Sequence, residues 1–348
     1  MNDYRVDAIA AMIGSEALKL DGKTILWTGT SGFLGQWVIR VIEYLNQHVL
    51  TKQCRVLAYD MRLPEEKIRR EFSTAGVDFR SHDLTTRLWP IGEHVDFVVH
   101  MAGIASPYHY KQRPLETIDV AIEGTRSALE IARHHGARFL FTSSSEVYQT
   151  ATLIPTPESY IGAIASNNER SCYDVSKLMA ENLTYVYSHN LGVDASTIRI
   201  FNSFGAGIAE ADARILPRIA SAVVGNSAVT VYRKDHLPTR TYCPAANTIA
   251  GLFLALLNGK SGQIYNVGVD SPELNVLELI ARIEHACGVK VPFHIAEPVE
   301  VYVDEPMRRC PDISKARHEI GYKPSVSLDD GLREFFSWAL KNYKGLRL

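Results

Sequence analysis

Three glycines spaced three residues apart, Gly29, Gly32 and Gly35, lie between a short apolar run at 24–27 and a segment at 36–45 with helical spacing of its apolar residues. The spacing predicts a strand that turns directly into a helix. The first glycine permits the tight turn, the second lets the backbone approach a diphosphate, and the third allows close helix packing against the sheet. Free N–H groups at the helix start favour bound phosphate. The segment therefore predicts a dinucleotide-binding fold, and on its own it is also compatible with an ordinary strand-to-helix turn.

An acid follows at the position that such a fold requires. The second predicted strand ends in Asp60, at about the distance where dinucleotide-binding folds place a carboxylate against the adenosine ribose. A carboxylate there repels a 2′-phosphate and favours NAD over NADP, whereas the nearby Arg62 is the opposing signal. A third strand is expected at 77–80. The Asp83 and Leu84 that follow it are candidates for contact with the adenine, although Asp83 is also suited to cap a helix.

Two further predicted strands lead into residues suited to a ligand site. The strand at 95–100 runs into a loop of small residues at 101–108, which leaves space at the carboxyl end of a strand. A long helix is expected at 114–135. The strand at 139–143 then runs into serines and Glu146, which forms either a surface turn or a contact with substrate.

Tyr173 and Lys177 open another predicted helix, which extends to about His189. Residues four apart share one helix face, so we expect the ammonium beside the phenol. A nearby positive charge favours phenolate and lowers the phenol pKa from about 10 toward neutrality. A phenolate can act as a general base on an alcohol. Such pairs often occur by chance, but after a dinucleotide-binding segment and a serine-rich strand end this pair indicates catalysis.

Composition excludes several classes of protein. A chain of 348 residues with 46% hydrophobic and 22% charged residues is typical of a soluble protein of one domain or two closely joined ones. A net charge of −2 gives no reason to expect nucleic acid or a membrane as partner. Five scattered cysteines argue against a metal site or a disulfide framework. Acidic residues interrupt the N-terminal segment, and no apolar run has membrane-spanning length, so we expect a cytoplasmic protein.

The predicted elements have the order of an α/β protein with a Rossmann-type doubly wound parallel sheet. A strand at 195–201 completes the first part, and a helix at 240–258 is expected to return to the same layers. The remaining pieces predict a smaller, discontinuous C-terminal α/β substrate domain that closes over the carboxyl ends of the strands. The expected division is an NAD-binding domain of residues 1–204 plus about 239–269, and a substrate domain of about 205–238 plus 270–348.

Together, these motifs resemble the extended short-chain dehydrogenase/reductases that modify nucleotide sugars. The matching segments cover nearly the whole chain in the family's order: Thr-Gly-Thr-Ser-Gly-Phe-Leu-Gly at 28–35, Asp60, His-Met-Ala-Gly at 100–103, Ser-Ser-Ser-Glu-Val-Tyr at 143–148, Tyr-Asp-Val-Ser-Lys at 173–177, Arg-Ile-Phe-Asn-Ser-Phe-Gly at 199–205, Arg-Thr-Tyr at 240–242 and Arg-Cys-Pro-Asp at 309–312.

Within this family the chain most resembles the UDP-glucuronate decarboxylases. The resemblance rests on the Ala-Ser-Pro loop with its tyrosine at 105–110, on Ser-Glu-Val-Tyr at 145–148, and on the segments 170–174 and 309–313. Three residues depart from the family pattern: Gln149 and Ser176 stand where glycine is usual, and Asn247 stands where aspartate is usual.

The resemblance implies a bound NAD, a nucleotide-sugar substrate such as a UDP-sugar, and a homodimer formed through the helices at 114–135 and 169–189. Catalytic roles are implied for Tyr173, Lys177, Ser144, Ser145, Glu146 and Arg240. Contacts with NAD are implied for Gly29, Ser31, Gly32, Phe33, Leu34, Gly35, Asp60, Asp83, Leu84, Met101, Ala102, Gly103, Tyr173 and Lys177. Contacts with substrate are implied for Ser106, Tyr108, Tyr110, Arg170, Asn202, Arg214, Arg240 and Arg309, and Arg214 and Arg309 would pair with the diphosphate.

The implied reaction starts with Tyr173 removing the proton of the sugar 4-hydroxyl while hydride leaves C4 for the nicotinamide. Lys177 holds the tyrosine ionised and Ser144 bonds the same oxygen. A glucuronate oxidised at C4 is a β-keto acid, which loses carbon dioxide before the hydride returns, and Ser145, Glu146, Arg240 or a water that they hold protonates C5. A 4-epimerase or 4,6-dehydratase would share the first oxidation, and a non-catalytic NAD-sensing scaffold would need no base; the residues alone leave these alternatives open.

Overall fold

The structure, a computed structural model, describes residues 4–87, 91–212, 214–232, 237–297 and 306–346. Its helices are α1 (Val6–Ile13), α2 (Phe33–His48), α3 (Glu66–Ser73), α4 (Pro107–Gln112), α5 (Pro114–His135), α6 (Ser171–Leu191), α7 (Ile215–Val224), α8 (Ala245–Asn258), α9 (Val276–Cys287), α10 (Ser314–Glu319) and α11 (Leu328–Asn342), with 3₁₀ helices at Gly14–Leu20 and Ser145–Tyr148. Its strands are β1 (Thr24–Thr28), β2 (Arg55–Asp60), β3 (Val77–Ser81), β4 (Phe97–His100), β5 (Arg138–Ser144), β6 (Ala195–Ile200), β7 (Ser203–Phe204), β8 (Val229–Tyr232), β9 (Thr239–Thr241), β10 (Cys243–Pro244), β11 (Ile264–Val267), β12 (Glu273–Leu274), β13 (Phe293–Ala296) and β14 (Arg308–Arg309).

Seven strands of the described chain form one parallel sheet, in the order β11-β6-β5-β4-β1-β2-β3. The chain moves outward from β1 through β2 and β3, and then returns to β4 on the other side of β1. Ligands of such sheets bind at the carboxyl ends of the strands, beside the point where the order reverses. The doubly wound parallel sheet expected from the sequence is therefore confirmed, and its binding edge lies at the loops after β1 and β4.

Helices cover both faces of this sheet because the side chains of each strand alternate between them. In β1, Ile25 and Trp27 join a core formed with α1, α2 and α8, whereas Leu26 joins the core formed with α5 and α6. This arrangement fixes the start of α2 and the start of α6 on opposite faces of the same binding edge.

A third core lies outside the sheet and is formed by α7, β8, α9 and α11. A helix was expected from residue 240, but α8 begins only at Ala245. Residues 239–241 instead form β9, which pairs with β12 on one side and β14 on the other. This correction matters for the site because the pairing brings Arg240 and Arg309 into register.

No helix in the described part of the chain is both long enough and apolar enough to cross a lipid bilayer. That same part of the chain brings no three histidine, cysteine, aspartate or glutamate side chains together as a metal site.

Candidate active site

The glycine-rich segment turns β1 into α2, as predicted. Gly29 has a φ of 81°, and a Cβ at this position would lie 2.7 Å from the backbone nitrogen of Ala102. A Cβ on Gly35 would collide with the carbonyl oxygens of Gly29 and Thr30, so this glycine allows the helix to pack against the turn. The turn therefore depends on glycine, and it lies directly against the loop that follows β4.

The start of α2 has the features that a dinucleotide requires. Gly32 precedes Phe33 and Leu34, and no side chain caps the first N–H groups of the helix. The hydroxyl oxygen of Thr30 is buried and has no hydrogen-bond partner among the described residues. Uncapped N–H groups and a buried unpaired hydroxyl at one helix start fit a bound diphosphate.

Asp60 lies beside this turn at the end of β2. Its Oδ2 accepts from the Ser31 backbone N–H at 3.0 Å, and its Oδ1 accepts from the Arg62 N–H at 3.3 Å. Burial raises the pKa of this carboxyl, against the effect of those N–H donors. The structure therefore places Asp60 next to the turn, where the sequence predicted contact with a ribose.

Asp83 and Leu84 follow β3, farther along the same edge. Asp83 Oδ1 accepts from the backbone N–H of Thr85 at 3.0 Å and from its hydroxyl at 2.9 Å, and these bonds lower the pKa of Asp83. Leu84 is buried in the core beneath α5 and α6. Asp83 therefore stabilises a turn, not the start of a helix as considered from the sequence, because residues 84–87 are not helical. Its contact with adenine stays a prediction.

The loop after β4 contains Met101, Ala102 and Gly103 and lies beside Lys177 of the predicted catalytic pair. Thr28 Oγ1 accepts from the N–H groups of Met101 and Ala102, at 3.1 and 3.2 Å. A Cβ on Gly103 would lie 3.4 Å from Lys177 Nζ. The predicted cofactor residues of β1 and β4 are thus brought together beside Lys177.

Lys177 is buried on the first turns of α6. Its Nζ donates to the carbonyl oxygen of Thr142 at 2.9 Å and lies 6.0 Å from the centre of the Tyr173 ring. Burial lowers the pKa of Lys177 to about 8, against the opposing charge of Glu181. The ammonium expected beside the phenol is therefore present, and it keeps its charge below about pH 8.

Tyr173 differs from expectation in its acidity. Burial raises the pKa of Tyr173 to about 12, although a hydrogen bond with Ser144 acts in the opposite direction. Its ring also stacks on Tyr110, with centroids 5.3 Å apart and an interplanar angle of 11°. The expected fall in this pKa is therefore wrong for the protein without cofactor, because burial and the charges of Glu146 and Asp174 outweigh the Ser144 hydrogen bond.

Glu146 is surrounded by arginines. It forms ion pairs with Arg170 and Arg309, and one Arg309 contact, from Nη2 to Oε2, measures 3.1 Å. Desolvation raises the pKa of Glu146, but the charges of Arg309, Arg170 and Arg240 outweigh it and hold the pKa below its usual value. Glu146 is therefore ionised. Arg309, which the resemblance placed at the diphosphate, lies against this carboxylate.

Asp174, which the sequence analysis missed, extends this cluster. Its side chain is fully buried, its Oδ2 accepts from Gln149 Nε2, and its Oδ1 has no partner among the described residues. Burial and the charge of Glu146 raise its pKa to about 7. Gln149 has a φ of 49°, which glycine adopts more easily. Two features of the sequence could have pointed to Asp174: it directly follows Tyr173, the predicted base, and Gln149 stands at a position where glycine is usual.

The other predicted substrate residues differ in their surroundings. Asn202 Nδ2 donates to the Thr241 carbonyl at 3.1 Å. Arg214, whose charge acts on Tyr173, makes two side-chain bonds to Asp212, at 2.9 and 2.8 Å.

The Ser106 hydroxyl is buried at the start of α4, without a partner among the described residues. Tyr108, also on α4, is exposed, and Ser145 is buried beside Glu146. Ligand contacts of these residues stay predictions.

Comparison with known proteins agrees with this geometry. A model of the NAD-dependent epimerase/dehydratase family matches residues 25–268. UDP-glucuronic acid decarboxylase 2 of Arabidopsis thaliana is 32% identical over 317 residues, which are 90% of this chain and 68% of that protein. UDP-glucuronic acid decarboxylase 1 of Danio rerio is 31% identical over 325 residues, which are 92% of this chain and 74% of that protein.

Solved structures share the fold at lower identity. UDP-glucuronic acid 4-epimerase of Bacillus cereus, solved with UDP-glucuronic acid and NAD, superposes with a TM-score of 0.75 at 22% identity, over 92% of this chain and all of that one. A dTDP-glucose 4,6-dehydratase of Streptomyces venezuelae gives a TM-score of 0.76 at 22% identity, over 92% of this chain and 97% of that one.

Proposed function

The chain belongs to the NAD-dependent epimerase/dehydratase family, and we propose that it decarboxylates UDP-glucuronate. The observation that carries this proposal is the group of three arginines around Glu146. Arg170, Arg240 and Arg309 act on this carboxylate, and the neighbouring Asp174 is neutral below about pH 7, so the positive charges outnumber the negative ones there. A net positive pocket suits a sugar that carries a carboxylate. The identity to UDP-glucuronic acid decarboxylases over about nine-tenths of the chain supports the same choice.

The residues at the binding edge fit NAD. The turn at 29–35 and the uncapped start of α2 would hold the diphosphate, and Asp60 would hold the ribose. When bound, NAD supplies a hydride acceptor for C4 of the sugar and a positive charge that favours the phenolate of Tyr173. Lys177 adds a second positive charge beside the same phenol.

In this proposal, Tyr173 Oη takes the proton of the sugar 4-hydroxyl, and Ser144 bonds the same oxygen. Once C4 is a ketone, the C5–C6 bond breaks, carbon dioxide leaves, and the electron pair moves onto the 4-oxygen as an enolate. Protonated Tyr173 and Ser144 stabilise that oxygen by hydrogen bonding. Arg309 and Arg170 bind the carboxylate of the sugar until it leaves, and C5 takes a proton from Ser145, from Arg240 or from a water held by these residues and by ionised Glu146.

A screen of nucleotide sugars tests this function. The purified protein is first analysed for a co-purified dinucleotide, and is then incubated with UDP-glucuronate, UDP-glucose and dTDP-glucose. Decarboxylation predicts a UDP-pentose from UDP-glucuronate alone. A C4 epimer would favour the epimerase, a 4-keto-6-deoxy sugar would favour the dehydratase, and bound NAD without turnover of any sugar would favour the scaffold.

We also propose a homodimer formed through α5 and α6. An exposed apolar stripe on α6 and the exposed Leu115 of α5 support the dimer, because soluble proteins rarely leave such a stripe uncovered. Its members on α6 are Val175, Leu178, Met179, Tyr185 and Val186. Light scattering should give twice the chain mass of 38.8 kDa, and the mass of a single chain would contradict the dimer.

Two smaller proposals concern organisation and location. We propose the division into NAD-binding and nucleotide-sugar domains at the boundaries expected from the sequence, which the separate core around α7, α9 and α11 supports. We also propose a cytoplasmic location, supported by five free cysteines. Limited proteolysis should cut near residues 205 and 270, and cell fractionation should recover the protein with the cytosol.

A further inference from the structure

A third ionisable side chain continues the catalytic face of α6. Tyr173, Lys177 and Glu181 follow one another at four-residue steps, so they lie along one side of the helix. Glu181 is buried and forms a two-bond ion pair with Arg199 of β6. Arg199 Nε donates to Oε1 at 2.9 Å and Nη2 donates to Oε2 at 2.7 Å. Neither partner has a task in the reaction proposed above.

Arg199 is itself fixed from two directions. Its Nη1 donates to the carbonyl oxygen of Glu158 at 3.1 Å, and its guanidinium lies 4.6 Å from the centre of the Tyr148 ring. A buried carboxylate with two bonds from a fixed guanidinium is held in one orientation. The pair therefore fixes the carboxylate of Glu181 one helical turn beyond Lys177.

The other groups that face Lys177 offer its ammonium little electrostatic support. The Thr142 carbonyl and the Phe141 ring approach from β5, at 2.9 and 4.8 Å. His100 on β4 is neutral, because burial lowers its pKa to about 3, and Tyr173 is a neutral phenol until the reaction begins. Within the described residues, Glu181 is the anion whose charge offsets the burial of Lys177.

We propose that Glu181, held by Arg199, is a positioning residue that keeps Lys177 protonated at neutral pH and so keeps Tyr173 competent as a base. This inference rests on the proposed function only in taking Tyr173 and Lys177 as the catalytic pair. It predicts that the Tyr–Lys pair works as part of a four-residue chain, Tyr173, Lys177, Glu181 and Arg199, that connects α6 to β6.

The test reads the charge of Lys177 directly. The full-length, NAD-loaded protein is labelled with ¹³C at the ε-carbon of lysine, and the resonance that disappears in Lys177→Arg assigns the residue. Its titration is followed in wild type, Glu181→Gln, Glu181→Asp and the double variant Glu181→Gln/Arg199→Met. Glu130→Gln is the matched control, because Glu130 also pairs with an arginine, Arg133, whereas Glu181 is the acid whose charge acts on Lys177.

We expect Lys177 in Glu181→Gln to lose its proton about 1 pH unit below wild type. Residues four apart on a helix are neighbours, and a nearby opposite charge shifts a pKa by about 1 or more. The Lys177 titration of the double variant should lie between those of wild type and Glu181→Gln, because the double variant also removes the positive charge of Arg199. In Glu130→Gln, Lys177 should titrate as in wild type. A merely structural role predicts the opposite sign, because loosened packing admits water and raises the Lys177 titration toward that of free lysine.

An unchanged or raised titration in Glu181→Gln would overturn the inference. Where that variant does not fold, the double variant decides in the same way, with a titration at or above the wild-type pH as the contrary result. Glu181→Asp keeps the negative charge, so its Lys177 should titrate close to wild type. The reading is independent of turnover. Absence of UDP-pentose from UDP-glucuronate would overturn the proposed function and leave the Lys177 titration as a separate result.

Discussion

Arg309 on β14 forms an ion pair with Glu146, which lies 163 residues earlier in the 3₁₀ turn after β5. The guanidinium is buried and the carboxylate largely so, and Arg170 contacts the carboxylate from α6. The pair therefore connects the small sheet of β12, β9 and β14 to the binding edge of the parallel sheet. It also sets the charge of the pocket into which we place the sugar carboxylate.

Removal of Arg309 should destabilise the protein. In Arg309→Met, Glu146 loses the ion pair with Arg309 and keeps the one with Arg170. Breaking a buried ion pair lowers the free energy of unfolding by about 3 kcal/mol. Glu146→Gln/Arg309→Met should recover part of that loss, because no uncompensated charge remains. Urea titrations of the two variants and wild type measure both effects, and an Arg309→Met midpoint equal to that of wild type would contradict the role of the pair.

Tyr173→Phe should abolish most turnover while leaving the fold intact. Phenylalanine keeps the stack on Tyr110 but has no oxygen to exchange the proton, and loss of a general base costs about 10³-fold in rate. Tyr187→Phe is the matched control, because it removes a buried hydroxyl of the same helix, which donates to Glu130, and keeps the Tyr173 hydroxyl. Rates within a few-fold of wild type in Tyr173→Phe would exclude this phenol as the base.

Asp60 should select NAD. Its carboxylate lies against the glycine turn, where a 2′-phosphate would meet like charge. We expect tighter binding of NAD than of NADP in wild type, and a difference reduced about tenfold in Asp60→Asn. Calorimetric titration with both dinucleotides measures this, and equal wild-type affinities would show that Arg62 prevails.

Asp174 should make substrate affinity depend on pH. Its pKa of about 7 means that it is neutral below that pH and adds a negative charge beside Glu146 above it. Repulsion should then raise the KM for UDP-glucuronate as the pH rises from about 6 to about 8. Asp174→Asn should flatten this rise, and inhibition by UDP-glucose, which has no carboxylate, should change little. The same rise in the variant would assign it to another group.

Local sequence signals predicted the elements best. The helix expected at 114–135 is α5 with the same bounds, because Pro114 and Gly136 mark its two ends. The turn from β1 to α2 was equally well specified, since Gly29 and Gly35 occupy places that no larger side chain fits. In both cases the determining interactions lie within a few residues.

Features that depend on distant partners were not predictable in this way. The strand at 239–241 replaces the first turn of an expected helix, because β12 and β14 supply its hydrogen bonds. The pairing of Glu146 with Arg309 and the raised pKa of Tyr173 depend likewise on which groups the fold buries together. The burial of Asp174 belongs to the same category.

Decarboxylation is tested most directly with UDP-glucuronate labelled with ¹³C at C6. The NAD-loaded protein is incubated with this substrate, and the label is followed by NMR while absorbance reports any net NADH. Decarboxylation with return of the hydride predicts that the label leaves as carbon dioxide or bicarbonate, with one UDP-pentose formed for each and no net NADH. A label that remains on a C4 epimer, or on unchanged substrate, would contradict it.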